Sequence, residues 1–288
     1  LSNFFAKTGD ANEAETFLVE AGSGNGKSDR RWRTVNASIY AERAQLSYQS
    51  GKFDEARSFV FTALNSYPAN KQLLGMLISI ELGAGALDEA KKVLEELKQV
   101  HPESQLGMIR GGDIFVAEGQ LDDAMHLYAR AWSIEVDDRL GQKLYEVYQQ
   151  LDESEKASQQ LAEWRAAIPM SVPAMVNHAI QLAADDSVQA ALAAYEAFLK
   201  VRPGSIVIKN NLAWLYLESG RYNKAVEVSK EAHELMPTGG AVADTYGWAL
   251  YKKGDIAEAI SVLRLAVKLL PNDKIQAHLD EALSTEKN

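Results

Sequence analysis

The sequence predicts an all-α fold, a right-handed α-solenoid of helical hairpins, and three periodic marks predict it. Alanine recurs at Ala56, Ala90, Ala124, Ala157, Ala191, Ala225 and Ala259, at a spacing of 34 residues broken once by 33. Five residues before each stands a glycine or an aspartate: Gly51, Gly85, Gly119, Asp152, Asp186, Gly220 and Gly254. Twelve residues after it stands a proline in six of seven cases (Pro68, Pro102, Pro169, Pro203, Pro237, Pro271), with Val136 in the seventh. A fixed period of this length means one supersecondary unit copied along the chain. Glycine tolerates the left-handed conformation that ends a helix, and aspartate tolerates it better than most residues. Proline cannot continue a helix and closes the unit. Each unit therefore reads helix, tight turn, helix, short loop. The alanine is small because two antiparallel helices approach closely there.

Taken from the N-terminus, Phe5, Gly9, Ala14, Leu18 and Ala21 match the second half of a unit cut inside its first helix. Residues 1–21 are thus expected to be a partial repeat, with further repeats upstream of Leu1. Residues 22–36 are a Gly/Ser-rich insertion and the start of the next helix, since Ala14 to Ala56 is 42 residues and not 34. Seven whole units follow over 37–273: 37–70, 71–104, 105–137, 138–171, 172–205, 206–239 and 240–273. Inside them the apolar residues keep helical spacing, as in Leu212, Leu215 and Tyr216, then Tyr222, Ala225 and Val226. Tyr128, Trp164, Tyr195 and Phe198, on second helices, are expected in the core. The fourth unit departs most, and 137–171 is the stretch expected to bend or change pitch. Residues 274–288 are expected to form a capping helix and tail, with Gln276, His278, Asp280 and Glu281 on a side that faces water.

The unit resembles the tetratricopeptide repeat (TPR). Ala44, Gly112, Ala179, Ala213 and Gly247 occupy that repeat's small site on the first helix. Phe53, Leu87, Leu121, Val188, Tyr222 and Ile256 fill its aromatic or aliphatic site after the turn. Ile78 and Tyr145 depart at the small site, and Ser154 at the apolar one. A narrower resemblance covers 206–283. The phrases Asn211-Leu212-Ala213-Trp214-Leu215-Tyr216 and Ala243-Asp244-Thr245-Tyr246-Gly247-Trp248-Ala249-Leu250, with the closing His278-Leu279, are similar to those of bacterial PEP-CTERM/exosortase-associated TPR lipoproteins. That resemblance implies a periplasmic assembly scaffold linked to exopolysaccharide export, anchored through an N-terminal lipoprotein signal. A cytoplasmic location is the alternative.

Composition narrows the function. Of 288 residues, 47% are apolar and 24% charged, with a net charge of −10 and no cysteine. An acidic chain is a poor partner for nucleic acid, whose phosphates need a basic face. Without cysteine there is no disulfide, zinc–thiolate site or thiol nucleophile. No apolar run approaches the length of a membrane span. The stretch Ala21-Gly22-Ser23-Gly24-Asn25-Gly26-Lys27-Ser28 satisfies a relaxed phosphate-loop pattern, but that loop should follow a buried strand. Here a helix precedes it, so nucleotide binding by Lys27 and Ser28 is only a last alternative. The histidines (His101, His126, His178, His233, His278) form no metal-binding pair and are expected mostly on solvent-facing helix surfaces. Paired carboxylates such as Asp122 and Asp123 read as solvated faces. No catalytic residue, cofactor or metal is expected.

A stack of such hairpins exposes one continuous face, lined by its first helices, that other chains can occupy. The sixth residue of each unit gives Glu42, Met76, Arg110, Lys143, Asn177, Asn211 and Thr245. The run from Arg110 to Asn211 offers cations for a carboxylate and amides for a peptide backbone. Neighbouring positions add Arg139, Gln142, Asn210, Trp214, Asp244, Trp248 and Tyr251. The expectation is a non-catalytic scaffold that binds a protein or peptide along this concave groove. The setting expected is a bacterial envelope complex for exopolysaccharide or surface-protein export. Two alternatives stand beside it. Groove aromatics could contact a carbohydrate polymer directly, or self-association could cover the apolar edge at 1–21.

Overall fold

The computed structural model describes residues 30–184 and 187–286. The partial repeat expected at 1–21, the phosphate-loop pattern at 21–28 and the turn residue Asp186 lie outside the described residues. Those residues form fifteen α-helices and no strand. They divide into two compact units, Leu1–Ala157 and Ser158–Asn288, with the division inside α8. The first unit holds α1 (Arg30–Gln49), α2 (Phe53–Ser66), α3 (Lys71–Gly83), α4 (Leu87–Val100), α5 (Gln105–Ala117), α6 (Leu121–Ile134), α7 (Asp138–Gln150) and the start of α8 (Ser154–Ala167). The second holds the rest of α8, then α9 (Val172–Ala184), α10 (Val188–Val201), α11 (Ile206–Glu218), α12 (Tyr222–Leu235), α13 (Gly240–Lys253), α14 (Ile256–Leu269) and α15 (Asp273–Glu286).

The periodic marks act as their chemistry requires. The turn between paired helices is left-handed at Gly51, Gly85, Gly119, Gly220 and Gly254, and also at Asp152, whose φ is 57°. After several of the inter-hairpin loops a polar side chain caps the next first helix, whereas Ser205 and Gly239 make no such bond. Asn70 accepts from the amides of Gln72 and Leu73, Ser104 from Gly107, Asp137 from Leu140, and Ser171 from Ala174. These caps satisfy amides that a helix start leaves bare, worth about 1 kcal/mol each.

From α1 to α7 in the first unit and from α9 to α15 in the second each helix packs on the next, and odd-numbered helices also pack on one another: α1 on α3 on α5, and α9 on α11 on α13 on α15. The even-numbered helices of successive hairpins make no comparable contact among the described residues. Each unit therefore keeps its odd helices closely spaced on one side, and that side is the inner face.

The core lies between the paired helices. All seven periodic alanines are buried, none more than 4% exposed. Tyr128, Trp164, Tyr195 and Phe198 are buried as expected. At the small site a Cβ on Gly112 would stand 2.4 Å from the Tyr128 ring, and one on Gly247 would stand 2.7 Å from Leu263. The larger residues Ile78 and Tyr145 are buried too. Ile78 packs with Ala90 and Leu94, and the Tyr145 hydroxyl accepts a hydrogen bond from Gln149.

Two expectations about histidine are corrected. The His278 side chain is only 12% exposed, because it turns inward from α15 to bond Asp244, 34 residues earlier. His178 and His233 are likewise partly buried, and His233 stacks on Tyr246. His278 and His233 each stack a flat face on a ring of another helix, which helical spacing alone does not reveal.

Gly112→Val should drive a side chain into the Tyr128 ring and cost about 1–3 kcal/mol, the usual range for overpacking. Gly204→Ala, with nothing within 4 Å of the added atom, should not. Urea unfolding midpoints of the two variants check this; equal midpoints would refute close approach at the small site.

Candidate functional site

In the first unit Arg110 and Lys143, two of the basic residues expected along the groove, turn out to be bound. Asp113 on α5 is the sequence's hidden counter-charge, its side chain only 10% exposed. Arg110 Nη1 reaches one carboxylate oxygen at 2.8 Å and Lys143 Nζ reaches the other at 2.8 Å. The hydroxyl of buried Tyr128 donates to it at 2.7 Å. Burial alone would push the Asp113 carboxyl up, but the Lys143 charge and the bonds from Lys143 and Tyr128 hold it below the usual carboxylate range. Burial, reinforced by the Asp113 charge, pushes the Tyr128 phenol far up. Arg110 Nε is buried without a partner. Arg139 is exposed and shares an open cleft of about 520 Å³ with Arg110, Asp137 and Asp138. Gln142 bonds Glu146 on its own helix. Two cations on one acid leave a single surplus charge, so the column is far less basic than its sequence.

In the second unit the aromatic residues gather with His278. Trp248 stacks on His278 with centroids 4.1 Å apart and planes 14° apart, and on Tyr251 at 4.9 Å. Trp214 leans toward the same imidazole at 6.0 Å. Lys252 Nζ sits 4.1 Å from the Trp248 ring and Lys274 Nζ 4.7 Å from the Trp214 ring, both cation–π contacts. The ring faces a sugar would need are thus largely covered by the chain itself. Asp244, expected on the groove, is buried at 5% exposure and spent on His278 Nδ1 at 2.8 Å. Thr245 is wholly buried and bonds the Ala241 carbonyl. Both are corrections: in α13 nearly every residue is covered by the helices beside it.

What stays open in this unit is a cleft of about 380 Å³ on the odd-numbered helices α9 and α11, lined by Ile180, Ala183, Asn211, Trp214 and Glu218 among others. Ile180 is 58% exposed. Asn211 shares a hydrogen bond with the Tyr195 hydroxyl, whose pKa burial raises. The side-chain oxygen of Asn210 is buried without a partner. Asn177 is partly buried and already has an interaction within the chain. Burial, and behind it the Arg165 charge, lowers the His178 imidazole below its ordinary range.

Sequence reasoning missed Asp113, His278 and Ile180. The first two left a signal, since Asp113 lies three residues after Arg110 and His278 one repeat after Asp244. No helix among the described residues is long and apolar enough to cross a membrane. No group of three or more potential metal ligands occurs among them.

The paired helices, left-handed turns and buried alanines define a helical-hairpin repeat protein. Family models described as Tetratricopeptide repeat match residues 47–111 and 217–283, and a second so described matches 177–236. Together they cover more than half of the chain, which belongs to the tetratricopeptide repeat family. It is similar to TPR repeat-containing protein PA4667 of Pseudomonas aeruginosa, 27% identical over 201 residues, 67% of this chain and 34% of that protein. It is also similar to small glutamine-rich tetratricopeptide repeat-containing protein 2 of Mycosarcoma maydis, 27% identical over 86 residues, 30% of this chain and 24% of that one. The chain thus spans a quarter to a third of the length of these relatives.

Among solved structures it resembles yeast Tom70 with a TM-score of 0.78 at 12% identity, covering 96% of this chain and 60% of that one. A tetratricopeptide repeat protein from Parabacteroides merdae matches with a TM-score of 0.54 at 17% identity, covering 86% and 99%. These two likenesses concern the fold.

Asp113→Asn should leave Arg110 and Lys143 without their acid. A loss of about 3 kcal/mol is expected, the low end for a broken buried pair because Lys143 keeps some solvent. Asp113 is held below its unfolded value near 3.9, so its contribution is complete above about pH 4 and disappears as pH falls through the folded pKa. Urea unfolding across pH checks both points: the variant should be less stable at pH 7 and should lose less on acidification.

Proposed function

We propose that the protein is a non-catalytic scaffold that captures a partner protein or peptide on the inner face of its odd-numbered helices. One observation carries this reading: the open cleft on α9 and α11, where exposed Ile180 and partly exposed Trp214 stand beside the amide of Asn211. Clustered apolar side chains left open to water on a concave face favour a protein contact. Aromatic and aliphatic anchors ringed by amides suit a helix or an extended segment. The first unit, taken by itself, offers a cation for an acidic group at Arg139 and in the single surplus charge around Asp113. The TPR fold supports the same reading, because stacked hairpins offer a long face for partners.

The setting we propose is a bacterial envelope complex for exopolysaccharide or surface-protein export, with the protein in the periplasm and anchored through a lipoprotein signal. This rests on the resemblance of residues 206–283. Fractionation of cells making the natural protein, with labelling by a radioactive fatty acid, tests it. A soluble, unlabelled cytoplasmic protein would overturn it.

For the inner face, a photo-cross-linking residue at position 180 should trap a discrete partner, and one at the exposed Lys230 of α12 should not. Ile180→Asp should weaken capture of that partner about tenfold or more, as for a central interface anchor. Equal adducts at both positions, or capture unchanged by Ile180→Asp, would remove the inner face from the function.

A further inference from the structure

Aligned from their first residues, the seven repeats agree at the third position in all but one. The third residue of the unit is Ile39, Leu73, Leu140, Ala174, Ile208 or Val242 in six repeats, all of them at most 8% exposed. In the remaining repeat it is Gly107, inside α5. Its backbone is helical, so no turn demands glycine there.

A Cβ built on Gly107 meets nothing within 4 Å except the Ser104 hydroxyl, at 2.9 Å. The contrast with its neighbours is sharp. The room left by Gly111 is taken by Leu127, and that left by Gly112 by the Tyr128 ring. At Gly107 only the Ser104 hydroxyl, which caps the Gly107 amide, comes near, and no side chain from another helix fills the space. A cavity of about 410 Å³ opens there instead, walled by Met108, Phe115, Leu127 and Pro102. That volume falls within the range of small-molecule sites. The cleft is open to solvent on one side, so its apolar walls face water where a side chain could cover them.

The exposed end of the cleft carries two cations and one carboxylate, Glu103. Lys98 and Arg130 line it, half or more exposed. Each is held by a carboxylate that is itself exposed: Lys98 by Glu95 at 2.9 Å and Arg130 by Glu103 at 2.8 Å. Exposed pairs of this kind contribute little, so a ligand's anion can replace either carboxylate at small cost. His101 also lines the cavity, but its Nε2 is engaged with the Ala69 carbonyl at 2.6 Å. Glu103 has a φ of 60°, and apart from the hairpin-turn residue Asp152 it is the one positive-φ non-glycine among the described residues. The loop over this cavity is thus shaped unlike the others.

We propose that the cavity is a binding site for a small amphiphilic monoanion, a medium-chain carboxylate. Its hydrocarbon body takes the place of the side chain missing at Gly107, against Met108, Phe115 and Leu127. Its carboxylate meets Lys98 and Arg130. The site shares no residue with the inner-face cleft and stands whether or not that cleft captures a partner.

Decanoate is the probe, decanol its uncharged counterpart, and the natural chain the target. Calorimetric titration should show one saturable decanoate site, with decanol at least tenfold weaker. Lys98→Gln combined with Arg130→Gln should bring decanoate down to the level of decanol. Gly107→Leu should abolish binding of both and raise the unfolding midpoint. Nuclear Overhauser contacts from the decanoate chain to Phe115 and Met108 locate the ligand in the natural protein, so the test survives if Gly107→Leu does not fold. Absence of saturable binding, contacts only to other residues, or a folded Gly107→Leu protein that binds as before would each overturn the proposal. Equal affinity for decanoate and decanol would overturn its anionic half.

Discussion

Close approach of two antiparallel helices at a methyl-sized contact is the constraint on which the structure rests. The periodic alanine of each second helix is sealed between helices, and the small-site glycines Gly112 and Gly247 meet Tyr128 and Leu263, four residues beyond it. A larger pair would push the helices apart and change the angle at which each hairpin presents its other side. In a stack that change does not stay local, since every hairpin buries its apolar stripe only against its neighbours. Gly112 shows how tightly the limit is set. There glycine replaces alanine because the aromatic ring of Tyr128 occupies the space a methyl group would need.

The same close spacing creates an electrostatic problem, and the chain solves it pairwise. Carboxylates drawn between helices lose water and need a cation or a hydrogen bond in exchange. Glu81, at 3% exposure, receives a two-pronged bond from Arg57. Asp113 receives Arg110 and Lys143, and Lys209 is matched by Glu231. Tyrosine hydroxyls join in: Tyr246 donates to Glu258 at 2.9 Å, and burial followed by that bond pushes its phenol up to about 12. Much of the positive charge on the first helices is therefore structural. An acidic partner would meet a nearly neutral wall in the first unit, which shifts the burden of recognition to apolar and amide groups.

How legible this was in the sequence depends on the range of the interaction. The helices were legible because glycine, alanine and proline act within one hairpin and recur. The ion pair of Arg110 with Asp113 was legible in principle, being one helical turn apart. The bond of Asp244 with His278 was legible only once the period was taken as a distance, placing residues one repeat apart on adjacent first helices. The exposure of Ile180 was not legible. Its place on α9 suits a buried apolar stripe as well as an open one, and only the packing of the neighbouring hairpins decides which.

Repetition inside one chain also supplies its own standard of comparison. Where seven copies agree in character, as at the periodic alanine, the agreement reports what the hairpin needs in order to pack. Where one copy differs and a neighbour fills the difference, as Leu127 does at Gly111, the change is repacking. Gly107 differs and only the capping hydroxyl of Ser104 approaches the space, so no neighbouring helix repacks into it. Ile180 is the converse case, an apolar side chain that packing leaves uncovered. One position withholds a side chain from the interior and the other spends one on solvent. Exposure alone does not single out Ile180, since Val201 and Ile134 are comparably open; what distinguishes it is the cleft it lines with Trp214 and Asn211.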